Sequence, residues 1–198
     1  MYNMFNLKYL YQDLEPYIDT HTMGLHYNKH TKKYLDNLNL ILKRNNYNKK
    51  VSIEGLINDL DYFNNDERDE LLFNLGGVLN HELYFNCMSP DRVLPSGKFL
   101  EKINNKYKSL ENFFNELIKK ALKLKGSGYV FVILDKNNDI EIVNKSNQDS
   151  PFFDGDIPIF NIDMWEHAYY LNYKNNKEEY LENFLEVADF SYANDMVK

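Results

Sequence analysis

Eight consecutive residues, Asp163-Met164-Trp165-Glu166-His167-Ala168-Tyr169-Tyr170, bring two carboxylates, an imidazole and three aromatic side chains together. Asp163 and His167 are four positions apart, a spacing that places two side chains on one side of a helical turn. Neither suits an apolar core, because a buried Asp must be paired, bonded to a metal or neutralised. A carboxylate and a neutral imidazole are a reasonable pair of ligands for a first-row transition metal. Two ligands do not complete a site, so the rest of the chain must supply others.

The chain has only 5 His, namely His21, His26, His30, His81 and His167. His26, His30 and Tyr34 follow one another at four-residue intervals, which aligns them along one face of a helix. A single His there would be a polar edge beside an apolar stripe. Two His and a Tyr in register favour a site. His81 follows Gly76-Gly77, a pair that costs roughly 1 kcal/mol per glycine inside a helix and so suggests close approach by another group. It reads either as a satisfied core histidine or as a ligand with room beside it. The combined set is His26, His81, Asp163 and His167. Three imidazoles and one carboxylate, with no thiolate, suit a mononuclear manganese, iron, copper or zinc ion.

These residues need elements to position them. A helix is expected from Thr22 to about Arg44, capped by Thr20 or Thr22. Its stripes are Met23, Tyr27, His30, Tyr34 and Leu38, and Leu35, Leu38 and Leu42. A short helix opens at Ser52, and residues 61–66 read as a polar loop. A second long helix spans 67–87, the partner of the first in an antiparallel hairpin. Pro90 and Pro95-Ser96-Gly97 mark a connector. Helices follow at 98–106 and 109–125. Three strands are expected at 129–134, 140–143 and 157–162, the first two joined by a turn at Asn137-Asn138. A helix should start near Trp165, with more at 177–186 and 189–196. The class is α+β: a helical-hairpin domain over 1–89, and a domain over 90–198 with a three-stranded antiparallel sheet flanked by helices. The metal site would lie between them.

Composition narrows the function. The chain has 198 residues, 43% of them hydrophobic, with 16 Tyr and 13 Phe against one Trp, so aromatic packing should dominate the interior. A net charge of -7 argues against nonspecific nucleic-acid binding. It also means that an anionic substrate must be drawn in by a local positive patch. Cys87 is the only cysteine, which fits a reducing compartment. No apolar run reaches the ~20 residues of a membrane span, and the start of the chain lacks the pattern of a signal peptide. The expectation is a cytoplasmic protein without membrane or nucleic-acid partners.

Several of these stretches resemble the iron/manganese superoxide dismutases. They are Leu14-Glu15-Pro16-Tyr17, the run Thr22 to His30, Gly76-Gly77-Val78-Leu79-Asn80-His81, Gly126-Ser127-Gly128, Asn147-Gln148-Asp149-Ser150-Pro151, and above all Asp163 to Tyr170, the most specific of them. The resemblance covers nearly the whole chain. It implies that His26, His81, Asp163 and His167 bind the metal, with solvent at a fifth position. The ion would cycle between trivalent and divalent states, releasing oxygen from one superoxide and hydrogen peroxide from the next. Gln148 would hydrogen-bond the metal-bound solvent. Tyr34 would bond Gln148 at the substrate channel, and His30 would relay protons beside it. Lys29 would attract superoxide, Gly77 would leave space for the Gln148 side chain, and Trp165 would wall the site. Glu166 would reach the partner's His167, a metal ligand, in a homodimer, where Tyr170 would meet the partner's His30. Gln148 in the loop with Gly77 on the helix is the manganese arrangement, implying one manganese ion per subunit with iron as the other possibility.

The chain also departs from the family. Phe85, Tyr129 and Phe131 stand where Trp is usual, Phe73-Asn74 replaces an Asn pair, and Lys177 replaces an Arg. These changes bear on rate and substrate steering more than on metal binding. A metal hydrolase or oxygenase with the same ligands would leave the Gln148 and Tyr34 pair without evident purpose. A non-catalytic relative that keeps a structural or binding role would be expected to have lost a ligand, and none is lost.

Overall fold

The structure is a computed structural model describing residues 1–198. Two long helical segments form the expected hairpin. The first comprises α1 (Thr20–Leu25), a π-helical turn over His26–Thr31, and α2 (Lys32–Arg44). The second, α3, is one helix over Asn65–Asn86. Leu35, Leu38, Ile41 and Leu42 from α2 bury against Leu71, Leu75, Val78 and Leu79 from α3. Burying a side chain of this kind contributes about 1.5–3 kcal/mol, so this seam is a main source of the hairpin's stability.

The first helix starts on Asp19, whose carboxylate accepts the Thr22 N–H. The expected Thr caps are therefore displaced by an acid just upstream, which satisfies the same orphan donor. The expected loop at 61–66 is shorter than its polarity suggests. A 3₁₀ segment runs over Glu54–Tyr62 and α3 begins at Asn65, with the Asn64 side chain accepting the Glu67 N–H. The helix expected from Thr22 to Arg44 is interrupted by the π turn, in which the Thr31 hydroxyl donates to the His26 carbonyl. Such turns insert one residue per bulge and gather at functional sites.

The second half contains α4 (Gly97–Tyr107), α5 (Leu110–Leu122), β1 (Gly128–Leu134), β2 (Ile140–Ser146) and β3 (Ile157–Asp163). It ends with α6 (Tyr170–Tyr173), α7 (Lys177–Glu186) and α8 (Ser191–Met196). The sheet is antiparallel with the order β2-β1-β3. As the central strand, β1 is buried along its whole length, which explains its continuous apolar run. The chain turns between β1 and β2 at Asn137-Asn138, where Asn138 takes a left-handed conformation (φ 63°) that Asn tolerates better than most residues. β2 extends to Ser146, three residues beyond expectation, and pairs Tyr129 with Lys145.

The larger of the two apolar clusters joins the halves. Met23 from α1 and Leu83, Tyr84 and Phe85 from α3 pack with β1, β3 and the last helices. No helix is long and apolar enough to cross a membrane.

Candidate metal centre

Four side chains from four places in the chain converge at the junction of the halves. His26 opens the π turn and His81 lies on α3. Asp163 ends β3, and His167 sits in a 3₁₀ turn over Glu166–Ala168. The expectation of a helical turn for the last pair is corrected here. Trp165 between them is extended (ψ 143°), and its backbone N–H donates to Asp163 Oδ1 at 2.7 Å. That bond stops a helix from forming at the strand end and folds His167 back over the carboxylate.

Asp163 Oδ2 lies 3.2 Å from His26 Nε2, 3.4 Å from His167 Nε2 and 3.9 Å from His81 Nε2. One ligand atom from each residue fits within 4.8 Å of the other three. Atoms each about 2.0–2.2 Å from one ion lie about 3.0–4.4 Å apart, so only a small contraction would bring all four to ligating distance. All four atoms are buried and none has a hydrogen-bond partner. Buried polar atoms almost always have partners, and four orphans aimed at one point are the signature of a group that binds there. The donor set therefore fits a metal ion.

The surrounding electrostatics favour ligand-ready protonation states. Burial, then the charge of His167, lowers the His26 pKa to about 4 against the pull of Asp163. Burial and the neighbouring His26 push His81 well below the usual imidazole range. Burial opposes the charge on Asp163, but the close approach of the His167 and His26 imidazoles outweighs it and holds the carboxyl below its usual range. Its partners thus keep Asp163 ionised while burial keeps His26 and His81 neutral.

A pH dependence follows. In the unfolded chain His26 takes up a proton near pH 6.5, and in the fold only near pH 4, so the unfolded state binds the proton first and stability rises with pH. The contribution is complete above about pH 6.5 and is lost as the pH falls toward 4. Thermal melts of chelator-stripped protein should show a steady midpoint above neutrality that drops across this window. A flat profile would contradict the buried neutral imidazole.

The remaining residues expected around the site divide into those in contact with it and those at its edge. Gln148 is fully buried, and its Nε2 donates to the Tyr34 hydroxyl at 3.0 Å. The Tyr34 ring lies 5.3 Å from that of His81. His30 stacks on His167 with centroids 4.1 Å apart. Trp165 covers the same imidazole at 5.6 Å and ties its indole N–H to the Asn147 carbonyl. An open cavity of about 680 Å³ beside the centre is lined by Lys29, His30, Lys32, Lys33, Tyr34, Asp36 and Phe73. Glu166 is exposed, and Tyr170 is 48% exposed. The Lys177 ammonium sits 5.9 Å from the Tyr169 ring centroid.

The glycines play different parts from those expected. A Cβ on Gly77 would lie 2.5 Å from Tyr34 Cδ1 and 3.0 Å from Tyr34 Cβ, so Gly77 makes room for Tyr34 rather than for Gln148. It is Gly76 that faces Gln148, and it faces the backbone: an added Cβ would run into the Gln148 carbonyl oxygen and lie 3.1 Å from its carbon.

Sequence reasoning missed a set of polar residues that fix the site from behind. Asn80 Nδ2 donates to the Gln148 and Asp149 carbonyls, and Asn161 Nδ2 donates to the Asn80 carbonyl. The Tyr180 hydroxyl donates to the Asp163 carbonyl at 2.9 Å and lies 3.2 Å from the Tyr84 hydroxyl. Asn80 could have been suspected from its place beside His81. Tyr180 gives no such signal, because it reads as one more apolar position of an amphipathic helix.

Comparison with known families supplies the final link. The model for the iron/manganese superoxide dismutase alpha-hairpin domain matches residues 1–89. The model for the C-terminal domain of the same enzymes matches residues 95–196. With both halves matched, and the four orphan ligand atoms at their junction, the chain belongs to the iron/manganese superoxide dismutase family.

Proposed function

We propose that this protein is an active superoxide dismutase, with His26, His81, Asp163 and His167 holding one manganese ion. The observation that carries the reading is the Gln148–Tyr34 hydrogen bond beside the four orphan ligand atoms. A purely structural metal site has no use for a buried amide and phenol leading in from a cavity. The ion supplies a one-electron couple when bound. The reaction converts two superoxide anions and two protons into one oxygen and one hydrogen peroxide, so the protein must guide an anion and deliver protons. Lys29 and Lys33 on the cavity wall provide local positive charge within a chain of net charge -7, Lys32 being paired with Asp36 there. Tyr34 and His30 line the cavity wall and can pass protons inward, and Gln148 fixes the inner end of that path. Trp165 shields His167 from water.

The assignment to manganese rests on where the amide comes from. A side chain at position 77 would displace the Tyr34 ring, so the amide that reaches this ring comes from the loop, as in the manganese arrangement. The test is to strip the protein, reload it separately with manganese and with iron, and measure superoxide consumption per bound ion. Manganese-loaded protein should be at least about tenfold more active, a difference of about 1.4 kcal/mol in barrier height. Higher activity with iron would overturn the metal assignment, and no activity with either ion would overturn the enzyme.

The same reading includes a homodimer in the cytoplasm, with the chain divided at residues 89 and 90. Glu166 and Tyr170 point outward beside the centre, where a second copy would cover them. Glu166→Ala should then weaken both self-association and metal retention. Sedimentation at several concentrations, read with metal content, checks this. A fully active wild-type monomer would refute it.

A further inference from the structure

The end of β3 that delivers Asp163 is held from outside the sheet. β3 is an outer strand, so its backbone is paired on one side only. The Met164 N–H turns toward β1 and donates to the Gly128 carbonyl. Successive residues of an antiparallel strand turn their backbone groups to opposite sides, so the Asp163 carbonyl faces away from β1. Asp163 is fully buried there, with no strand beside it. A buried carbonyl without a donor is costly. α7 supplies the donor: the Tyr180 hydroxyl lies 2.9 Å from this oxygen.

A second phenol stands behind the first. The Tyr84 and Tyr180 hydroxyl oxygens are 3.2 Å apart. A phenol has one proton to give and a carbonyl can only accept, so the Tyr180 proton is spent on Asp163. The proton between the two hydroxyls therefore belongs to Tyr84. Donation runs in one direction, from Tyr84 to Tyr180 to Asp163. Both phenols are fully buried and held by stacking. Phe184, one turn along α7 from Tyr180, stacks on Tyr84 at 5.4 Å, and Tyr169 stacks on Tyr180 at 5.1 Å. The Tyr84 ring also packs against that of His26, with centroids 5.0 Å apart. Two phenols thus tie α7 to ligands from both halves of the chain.

We propose that Tyr84 and Tyr180 are positioning residues of the metal centre, whose hydrogen-bond chain fixes the end of β3 and with it the Asp163 carboxylate. The inference rests on the reading of the centre as a redox metal site. Without the chain the strand end relaxes and the carboxylate withdraws from the ion. A trivalent ion is attracted to that negative charge more strongly than a divalent one, so a looser Asp163 favours the divalent state. Groups that orient a ligand in this way tune both affinity and potential.

Five manganese-loaded proteins test this: wild type, Tyr180→Phe, Tyr84→Phe, the double variant and Tyr173→Phe. Tyr173 is the control, a buried phenol on α6 that also donates to a backbone carbonyl, that of Tyr17, which is no ligand. The readouts are melting midpoint, rate of manganese loss to a chelator, and the ratio of trivalent to divalent ion at a fixed potential, all taken without superoxide. Tyr180→Phe should lose the ion about tenfold faster and shift the ratio about threefold toward the divalent ion. Tyr84→Phe keeps the bond to Asp163 and should move both readouts in the same direction by about twofold. It should add nothing to Tyr180→Phe, where the acceptor of its proton is gone. Tyr173→Phe should lower the melting midpoint and leave the ratio unchanged. An unchanged ratio in Tyr180→Phe or Tyr84→Phe, an equal shift in Tyr173→Phe, or an equal effect of Tyr84→Phe with and without the Tyr180 hydroxyl would each overturn the proposal. Should Tyr180→Phe fail to fold, the comparison of Tyr84→Phe with Tyr173→Phe decides alone. A manganese-loaded wild type that fails to consume superoxide would instead overturn the dismutase reading and leave these readouts interpretable.

Discussion

Asp163→Ala is expected to lose bound metal and all superoxide-dependent activity while remaining folded, and His81→Ala is expected to do the same. Each residue supplies one of four buried ligand atoms that face one another without any other partner. No neighbour can substitute. Trp165 offers only donors, and Glu166 is exposed. Removing a group that merely orients a ligand commonly costs 10–100-fold in affinity, so removing the ligand should cost about 100-fold or more. Asp163 carries a further burden. Its carboxylate lies within 4 Å of three imidazole Nε2 atoms, and its loss also removes the only carboxylate among the four. His21, exposed on α1, serves as the control, and His21→Ala should keep full metal content. Elemental analysis of the purified variants decides the matter. Full occupancy in either ligand variant would refute the assignment, whatever the activity.

Most of this architecture could be read before the structure because its signals are local. Four-residue spacing on a long Gly-poor segment places His26, His30 and Tyr34 together, and the β-branched run Val130 to Ile133 declares a buried central strand. Other features were illegible because they depend on contacts distant in sequence. The π turn at His26–Thr31 has no composition cue. The 3₁₀ turn at His167 is set by a single bond from the Trp165 backbone to Asp163, which periodicity cannot register. Tyr180 supports Asp163 from α7, and its apolar neighbours disguise it as core. The glycine pair shows the limit most clearly. The sequence says that something comes close, but not what comes close to which glycine.

That division of labour yields the second large effect. Alanine in place of glycine inside a helix ordinarily gains about 1 kcal/mol. At Gly76 the new methyl meets the Gln148 carbonyl, a backbone atom anchored by Asn80, and lies 3.3 Å from the Phe153 ring. Backbone held this way cannot yield cheaply, and overpacking typically costs 1–3 kcal/mol, occasionally more. Gly76→Ala should therefore lower the melting midpoint by roughly 5–10 °C, at about 2–4 °C per kcal/mol for a chain of this size. It should also release the loop that carries Gln148. At Gly77 the methyl meets the Tyr34 side chain instead. The clash is with the near end of that side chain, Cβ included, so turning the ring does not relieve it and Tyr34 must shift as a whole, which also costs stability. The ring that is displaced is the one bonded to Gln148. Turnover per bound ion should fall about tenfold or more, because a small misplacement of a positioned group is costly in rate. Melting curves and activity normalised to metal content, measured on both variants, separate the two outcomes. If Gly77→Ala kept full turnover per bound ion, the Tyr34–Gln148 contact would have no part in catalysis, and the proton path proposed through it would be wrong.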